Sequence, residues 1–433
     1  MKIHIKESSI VSPADDTPHG RLWVSNLDLI QTRYYVPLVF VYKPNGSSNF
    51  FDLQVLKEAL SKVLVPFYPA AGRLATDENG RIEIDCNAKG VLLIEAETDS
   101  PQSDLGDFVP SPELVQLIPA VDYSDVTLYP LVLLQITKFS CGGVCLGVGW
   151  HHTLSDGQGC LHFINSWASL ARGHSIRIPP YTDRTILRAR DPPRPTFRHV
   201  EYDDPPTLKV PAQNPKPTSM ANLKITPHHL NTLKAQVNLG GKKTSYTNFQ
   251  VLTAHIWRCA TKARGLPGDQ ATKLSIANDG RSRLVPPLPQ GYFGNVIFSA
   301  TPIALAGDLV SEPLLHTVER LDRAIKRMDD SYLRSATDRL EEIGDLTPIL
   351  RGPITCRCPN LTVPSWMRLP FYEADFGWGR PVLLRPANAC EGKGYLYSNP
   401  ANDGSFSLAI CLEADHIPAF EKLFYDAELV CRL

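Results

Sequence analysis

The sequence predicts an α/β fold in two domains, and three observations carry that prediction. At 433 residues the chain exceeds the size at which a single core usually keeps growing. Its first part alternates short strand-like runs with segments of helical period. Prolines then crowd residues 178–217, including Pro179, Pro180, Pro192, Pro193, Pro195, Pro205, Pro206, Pro211, Pro215 and Pro217. Proline donates no ladder hydrogen bond and disfavours helix, so this stretch reads as an extended linker. The domains implied are 1–177, carrying the motif HHTLSDG, and 218–433, carrying DFGWG.

Each element has a local reason. Arg81 to Cys86 alternates with period two, and Val91 to Ala96, Leu131 to Thr137 and Val144 to Trp150 are short apolar runs of strand length. Leu53, Leu56, Leu60, Val63 and Leu64 recur at helical spacing, as do Leu161, Ile164, Ala168 and Ala171. HHTLSDG therefore sits where a strand ends and a helix begins. Thr226-Pro227 reads as an N-cap followed by proline at the first helical position. Helices are predicted over Asn248 to Lys262, Leu314 to Met328 and His416 to Tyr425, with a strand over Phe406 to Leu412.

Composition narrows the function. The chain is 43% hydrophobic and 21% charged with a formal net charge of -1, so no global field draws it to nucleic acid or an anionic membrane. No run approaches the roughly 18 apolar residues of a membrane span, and residues 1 to 12 lack the apolar stretch of a signal peptide. Ten cysteines are scattered from Cys86 to Cys431, and Cys356 with Cys358 is too tight for a zinc half-site. The expectation is a cytosolic monomer with free thiols, no metal and no permanently bound cofactor.

Histidine is the side chain best suited to accept a proton near neutral pH. His152, at the strand-to-helix turn, would project from a rigid sheet end. The spacing H-x-x-x-D is weak by itself, and it occurs twice: His152 with Asp156, and His199 with Asp203. The second pair lies in the proline-rich stretch, where nothing is expected to hold it rigid, so it reads as a decoy. His151 should point to the opposite face and pack. Asp156 is read as an anchor for the turn, with a third triad member as the alternative. Asp375, Gly377, Trp378 and Gly379 of DFGWG read as a structural turn, glycines supplying unusual backbone angles. The chain has no G-x-S-x-G elbow, H-E-x-x-H, phosphate loop or dinucleotide fingerprint.

HTLSDG and DFGWG together resemble the paired signatures of the plant BAHD acyl-CoA-dependent acyltransferases. The likeness continues through LVPFYPAAGRL (64–74), LHFINSWASLARG (161–173), DGRSRL (279–284), GYFGNVIF (291–298) and CPNL (358–361). It is most similar to the hydroxycinnamoyl-CoA:shikimate/quinate branch. The resemblance implies two chloramphenicol-acetyltransferase-like domains, each a mixed sheet flanked by helices, with an active-site channel between them. It implies hydroxycinnamoyl-CoA as co-substrate and a hydroxylated small molecule as acceptor. His152 matches the catalytic histidine. Asp156 matches an aspartate that turns away to pair with an arginine, for which Arg281 is the candidate and Arg283 the alternative. Trp366 matches an oxyanion donor, and Arg351 an arginine that binds the acceptor carboxylate. Val36, Leu38 and Phe40 stand where hydroxyl side chains are usual, and Pro364 where threonine is usual. These departures suggest an acceptor with a carboxylate and a more apolar body, such as a hydroxyphenyl-lactate.

Overall fold

Strand Tyr35–Tyr42 lies between Val144–His151 and Leu383–Pro386, although the last of these is more than 230 residues further along the chain. The computed structural model describes the chain except for residues 107, 122–124, 126, 210–215, 239–244, 401–402 and 427–433. Pro211 and Pro215 of the proline-rich stretch, and Cys431, thus lie outside the described residues.

The chain forms two units. The first comprises Met1–Arg188, Leu288–Val296 and Leu369–Asn388; the second holds Ala189–Pro287, Ile297–Arg368 and Ala389–Leu433. This corrects the contiguous division read from the sequence in two respects. The unit boundary falls inside the proline-rich stretch, and two later segments return to the first unit. DFGWG, expected in the C-terminal domain, folds with the N-terminal one. The reason is the pairing of Leu383–Pro386 with Tyr35–Tyr42, in register from Leu383 opposite Val41 to Pro386 opposite Leu38.

The first unit has a six-stranded mixed sheet in the order His4–Val11, Val91–Thr98, Val132–Phe139, Val144–His151, Tyr35–Tyr42, Leu383–Pro386. Val91–Thr98 and Val132–Phe139 run parallel and the other pairs antiparallel. Every residue of Val144–His151 is buried, which explains a continuous apolar run in place of alternation. Helices Leu53–Val63 and Gly157–Ala171 are fastened together by the Trp167 indole, which donates to Leu56 O at 3.0 Å. Trp150 of the central strand meets Phe163 of the second helix and Phe293, with ring centroids 5.6 and 6.2 Å away. Such aromatic pairs add to the area they bury. A small antiparallel sheet of Gly20–Leu22, Ile82–Cys86 and Arg73–Thr76 completes this unit.

The second unit has a seven-stranded sheet. Its order is Ile297–Ala300, Ala271–Asp279, Leu361–Thr362, Lys393–Ser398, Phe406–Glu413, Thr218–Ile225, with Ile303–Leu305 also on Ala271–Asp279. Its helices include Pro227–Asn238, Asn248–Ala263, Leu314–Lys326, Asp330–Ile343 and Ile417–Tyr425. Thr226 accepts from His229 N, and Thr247 forms a capping box with Gln250. No helix among the described residues is long and apolar enough to cross a membrane.

His199 departs from its expectation. It is buried, with Nδ1 2.9 Å from Glu201 Oε1 and Nε2 2.8 Å from Ser335 Oγ. The stretch is thus firmly held there by polar contacts to the helix Asp330–Ile343, which proline content gives no hint of.

Candidate active site

His152 follows the last residue of strand Val144–His151, and Asp156 caps the helix Gly157–Ala171. The three residues between them make the turn. His151 is buried with its ring edge-on to Tyr35 at 5.2 Å, and burial pulls its pKa down to about 4, so it is neutral at physiological pH.

The His152 ring has a partner from a distant segment: its Nδ1 lies 3.0 Å from Asn295 Oδ1. The orientation of that amide is fixed by its other contacts. Asn295 Nδ2 lies 2.8 Å from Asp28 Oδ1 and 2.8 Å from the His152 carbonyl, and both of these only accept. Asn295 Oδ1 must then accept from His152, which places the ring proton on Nδ1 and the basic lone pair on Nε2. That is the tautomer a proton-accepting histidine needs.

Asp28 anchors this arrangement. It is fully buried, accepts from Asn295 N at 2.8 Å and from Ser25 N and Oγ, each at 2.8 Å. Its Oδ2 is 3.3 Å from the buried guanidinium of Arg184. Arg184 in turn donates to the carbonyls of Thr153 at 3.2 Å and Leu154 at 2.6 Å, within the motif turn. A buried ion pair is costly to desolvate unless other hydrogen bonds share the charge. Here both terminal nitrogens of Arg184 donate to the turn itself, while its Nε is left without an acceptor among the described residues.

Asp156 Oδ1 accepts from Gly159 N and its Oδ2 from Val296 N, both at 3.1 Å. It therefore binds the helix start to the GYFGNVIF segment, and Nδ1 of His152 is engaged by Asn295. Arg281 donates to Asp279 within the second unit, and Arg283 to the carbonyls of Ile325 and Met328.

The remaining positions divide between the units. Val36, Leu38 and Phe40 share one face of strand Tyr35–Tyr42, opposite Trp150, Val148 and Leu146. Val36 is half-buried, whereas Leu38 and Phe40 are buried, Phe40 with its ring 6.5 Å from Phe371. In the second unit Arg351 Nη2 donates to Ile297 O at 2.9 Å and Ser299 Oγ at 3.0 Å. Trp366 packs on Tyr395 at 4.4 Å, and Pro364 lends only its carbonyl, to Leu396 N. DFGWG closes on itself: Asp375 Oδ1 accepts from Gly377 N and Gly379 N, at φ of +105° and +110° that favour glycine. Phe376 and Trp378 pin that turn against Trp167 and Phe51, at 4.7 and 5.3 Å.

Sequence reasoning missed Asn295, Asp28 and Arg184. Asn295 stands in the quoted GYFGNVIF, and an asparagine buried in an apolar segment is the available signal. Asp28 and Arg184 lie in stretches without a motif.

A transferase family model matches residues 1–427. Shikimate O-hydroxycinnamoyltransferase of Nicotiana tabacum is 55% identical over 434 residues, 98% of this chain and 100% of that protein. Rosmarinate synthase of Plectranthus scutellarioides is 50% identical over 437 residues, with the same coverage of 98% and 100%. The crystal structure of vinorine synthase aligns with a TM-score of 0.76 at 22% identity, covering 98% of this chain and 100% of that one. The two mixed sheets with their helices are therefore chloramphenicol-acetyltransferase-like domains. With the match running from end to end, this chain belongs to the transferase family of the BAHD acyl-CoA-dependent acyltransferases, and it is an enzyme of that class.

Proposed function

We propose that this enzyme transfers a hydroxycinnamoyl group, p-coumaroyl or caffeoyl, from CoA to a hydroxyl of a carboxylate-bearing acceptor such as shikimate or quinate. The observation that carries the reading is the hydrogen bond from His152 Nδ1 to Asn295 Oδ1, which leaves Nε2 as the base. The name of the tobacco relative supplies the substrate class.

In this reading both substrates are bound together and the transfer is direct. His152 Nε2 takes the proton of the acceptor hydroxyl as its oxygen attacks the thioester carbonyl. The tetrahedral oxyanion is stabilised by hydrogen-bond donors, with the Trp366 indole N–H as the assigned one. Pro364 has no N–H and no hydroxyl to add. Collapse expels CoA as its thiolate, and His152 returns the proton. Asp156 acts as an anchor, with Arg281 its cationic partner, and Arg351 clamps the acceptor carboxylate through its planar donor fork.

A second reading keeps this mechanism and changes the acceptor. Val36, Leu38 and Phe40 are apolar, which favours a carboxylate acceptor with a more apolar body, such as a hydroxyphenyl-lactate. Incubation with p-coumaroyl-CoA and a panel of shikimate, quinate, a hydroxyphenyl-lactate and an aliphatic amine decides between them. An ester of shikimate or quinate supports the first reading, and an aryl-lactate ester the second. Free p-coumaric acid as the sole product would make the enzyme a thioesterase, and no CoA release at all a binding protein.

A further inference from the structure

The second unit holds a pair of thiols that the transfer reaction does not use. Cys356 ends the short helix Pro353–Cys356, five residues after Arg351, and Cys390 opens the turn before strand Lys393–Ser398. Their sulfurs lie 3.2 Å apart. The contact follows from how the two backbones are held. Cys358 N donates to Glu391 Oε2 at 2.7 Å, Thr362 N to Gly392 O at 2.8 Å, and Lys393 N to Cys390 O at 3.1 Å. Gly392, at φ +80°, lies so close that a Cβ there would meet Cys356 O at 1.7 Å. The two segments are thus held side by side just C-terminal to the thiols, and the sulfurs already stand not far beyond the bonded separation of about 2.05 Å.

We infer that Cys356 and Cys390 form a redox-sensitive dithiol, oxidised to an intramolecular disulfide by a low-molecular-weight disulfide. The Cys390 thiolate attacks one sulfur of the oxidant, breaks its S–S bond and releases one thiolate, leaving a mixed disulfide. Cys356, deprotonated as it reacts, attacks the Cys390 sulfur and releases the second thiolate. Two protein thiols lose two electrons and two protons, and one small disulfide becomes two thiols.

The surroundings select Cys390 as the attacking thiol. It is half-exposed, whereas Cys356 is buried. The hydrogen bond from Cys356 lowers the Cys390 pKa to about 7, and the Lys393 ammonium adds to this, against the opposing effects of burial and of the Glu391 carboxylate. That carboxylate is itself engaged by Arg264 at 2.6 Å. The same hydrogen bond, with burial, pushes Cys356 up, and burial raises nearby Cys358.

The test exposes the full-length enzyme to oxidised glutathione, traps remaining thiols with N-ethylmaleimide and maps the peptides. The expected result is a linked Cys356–Cys390 peptide, a mass loss of about 2 Da for two hydrogens, and full reversal by dithiothreitol. Cys390→Ser should abolish the linkage and leave Cys356 open to alkylation in denaturant. The rate should rise roughly tenfold between about pH 6 and about pH 8 and level off, where an ordinary thiol would climb roughly eightyfold. Recovery of both cysteines fully alkylated from oxidised wild-type protein, while exposed Cys141 is glutathionylated, would overturn the inference. So would a linkage of Cys390 to Cys358.

Discussion

Asn295 Oδ1 receives the Nδ1 proton of His152 at 3.0 Å, while the Nδ2 of the same amide holds the carboxylate of Asp28 and the His152 carbonyl. One side chain thus sets both the tautomer and the backbone position of the proposed base. His152→Ala should lower kcat by roughly 10²–10⁴-fold, the usual worth of a general base. Asn295→Ala should lower it by roughly ten- to a hundredfold through loss of tautomer control, with the thioester KM nearly unchanged. Steady-state kinetics of folded variants check both, and a folded His152→Ala enzyme with near-normal kcat would sink the assignment.

The buried pair of Asp28 and Arg184 predicts a stability effect. Arg184→Met leaves the Asp28 charge buried without its guanidinium and frees two carbonyls of the motif turn. Urea unfolding should report a loss of about 3–5 kcal/mol. A variant as stable as wild type would show that the pair contributes little to holding the turn.

Asp156 serves two backbone amides, so its removal should act on stability and activity together. Asp156→Ala loses the helix cap, about 1 kcal/mol, and leaves Val296 N without this acceptor, about 1–3 kcal/mol more. A lower Tm with a moderate drop in kcat is expected. Loss of activity as complete as that of His152→Ala, at wild-type Tm, would instead mark Asp156 as chemically involved.

Acceptor choice turns on Arg351. A charge-assisted hydrogen bond contributes about 1.5–3 kcal/mol, so Arg351→Ala should raise the acceptor KM roughly ten- to a hundredfold. The thioester KM should hardly move. Leu38→Ser should shift preference from aromatic towards polyhydroxylated acceptors. Unaltered acceptor kinetics in Arg351→Ala would leave an uncharged alcohol or an amine as the acceptor.

Two buried histidines predict the acid limb of the stability curve. Burial holds His151 and His255 at about 4, below the ordinary 6.5. Between about pH 6.5 and about pH 4 the unfolded chain binds protons that the folded one does not. Stability should thus be full above about 6.5 and fall as pH drops, by roughly 1 kcal/mol per histidine per unit. His151→Phe should flatten the slope measured by urea titration; an unchanged slope would refute the contribution.

Much of this architecture was legible in the chain. The strand before His152 and the helix after it came from apolar run length and helical period, and the turn between them from their junction. Strand Tyr35–Tyr42 was not read, because Pro37 and a nearly unbroken apolar run give no alternation. The return of Leu383–Pro386 to the first unit is a pairing across hundreds of residues, which no local pattern encodes. The grip on His199 by Glu201 and Ser335 escaped for the same reason, since proline content speaks of backbone freedom and not of tertiary partners. That histidine is accordingly a core residue, and His199→Ala is expected to cost stability.

The strand at Leu383–Pro386 and the amide at Asn295 also bear on the order of events at the ribosome. The N-terminal sheet cannot receive its sixth strand until Leu383–Pro386 has emerged from the ribosome, long after its other five strands have been made. Until then strand Tyr35–Tyr42 has a bare edge, and such edges invite pairing with other chains. A nascent chain halted before residue 295 would carry HHTLSDG without the amide that orients His152. Activity should therefore not appear in a nascent chain until both of these distant segments have emerged, and the first 188 residues made alone should be prone to aggregate.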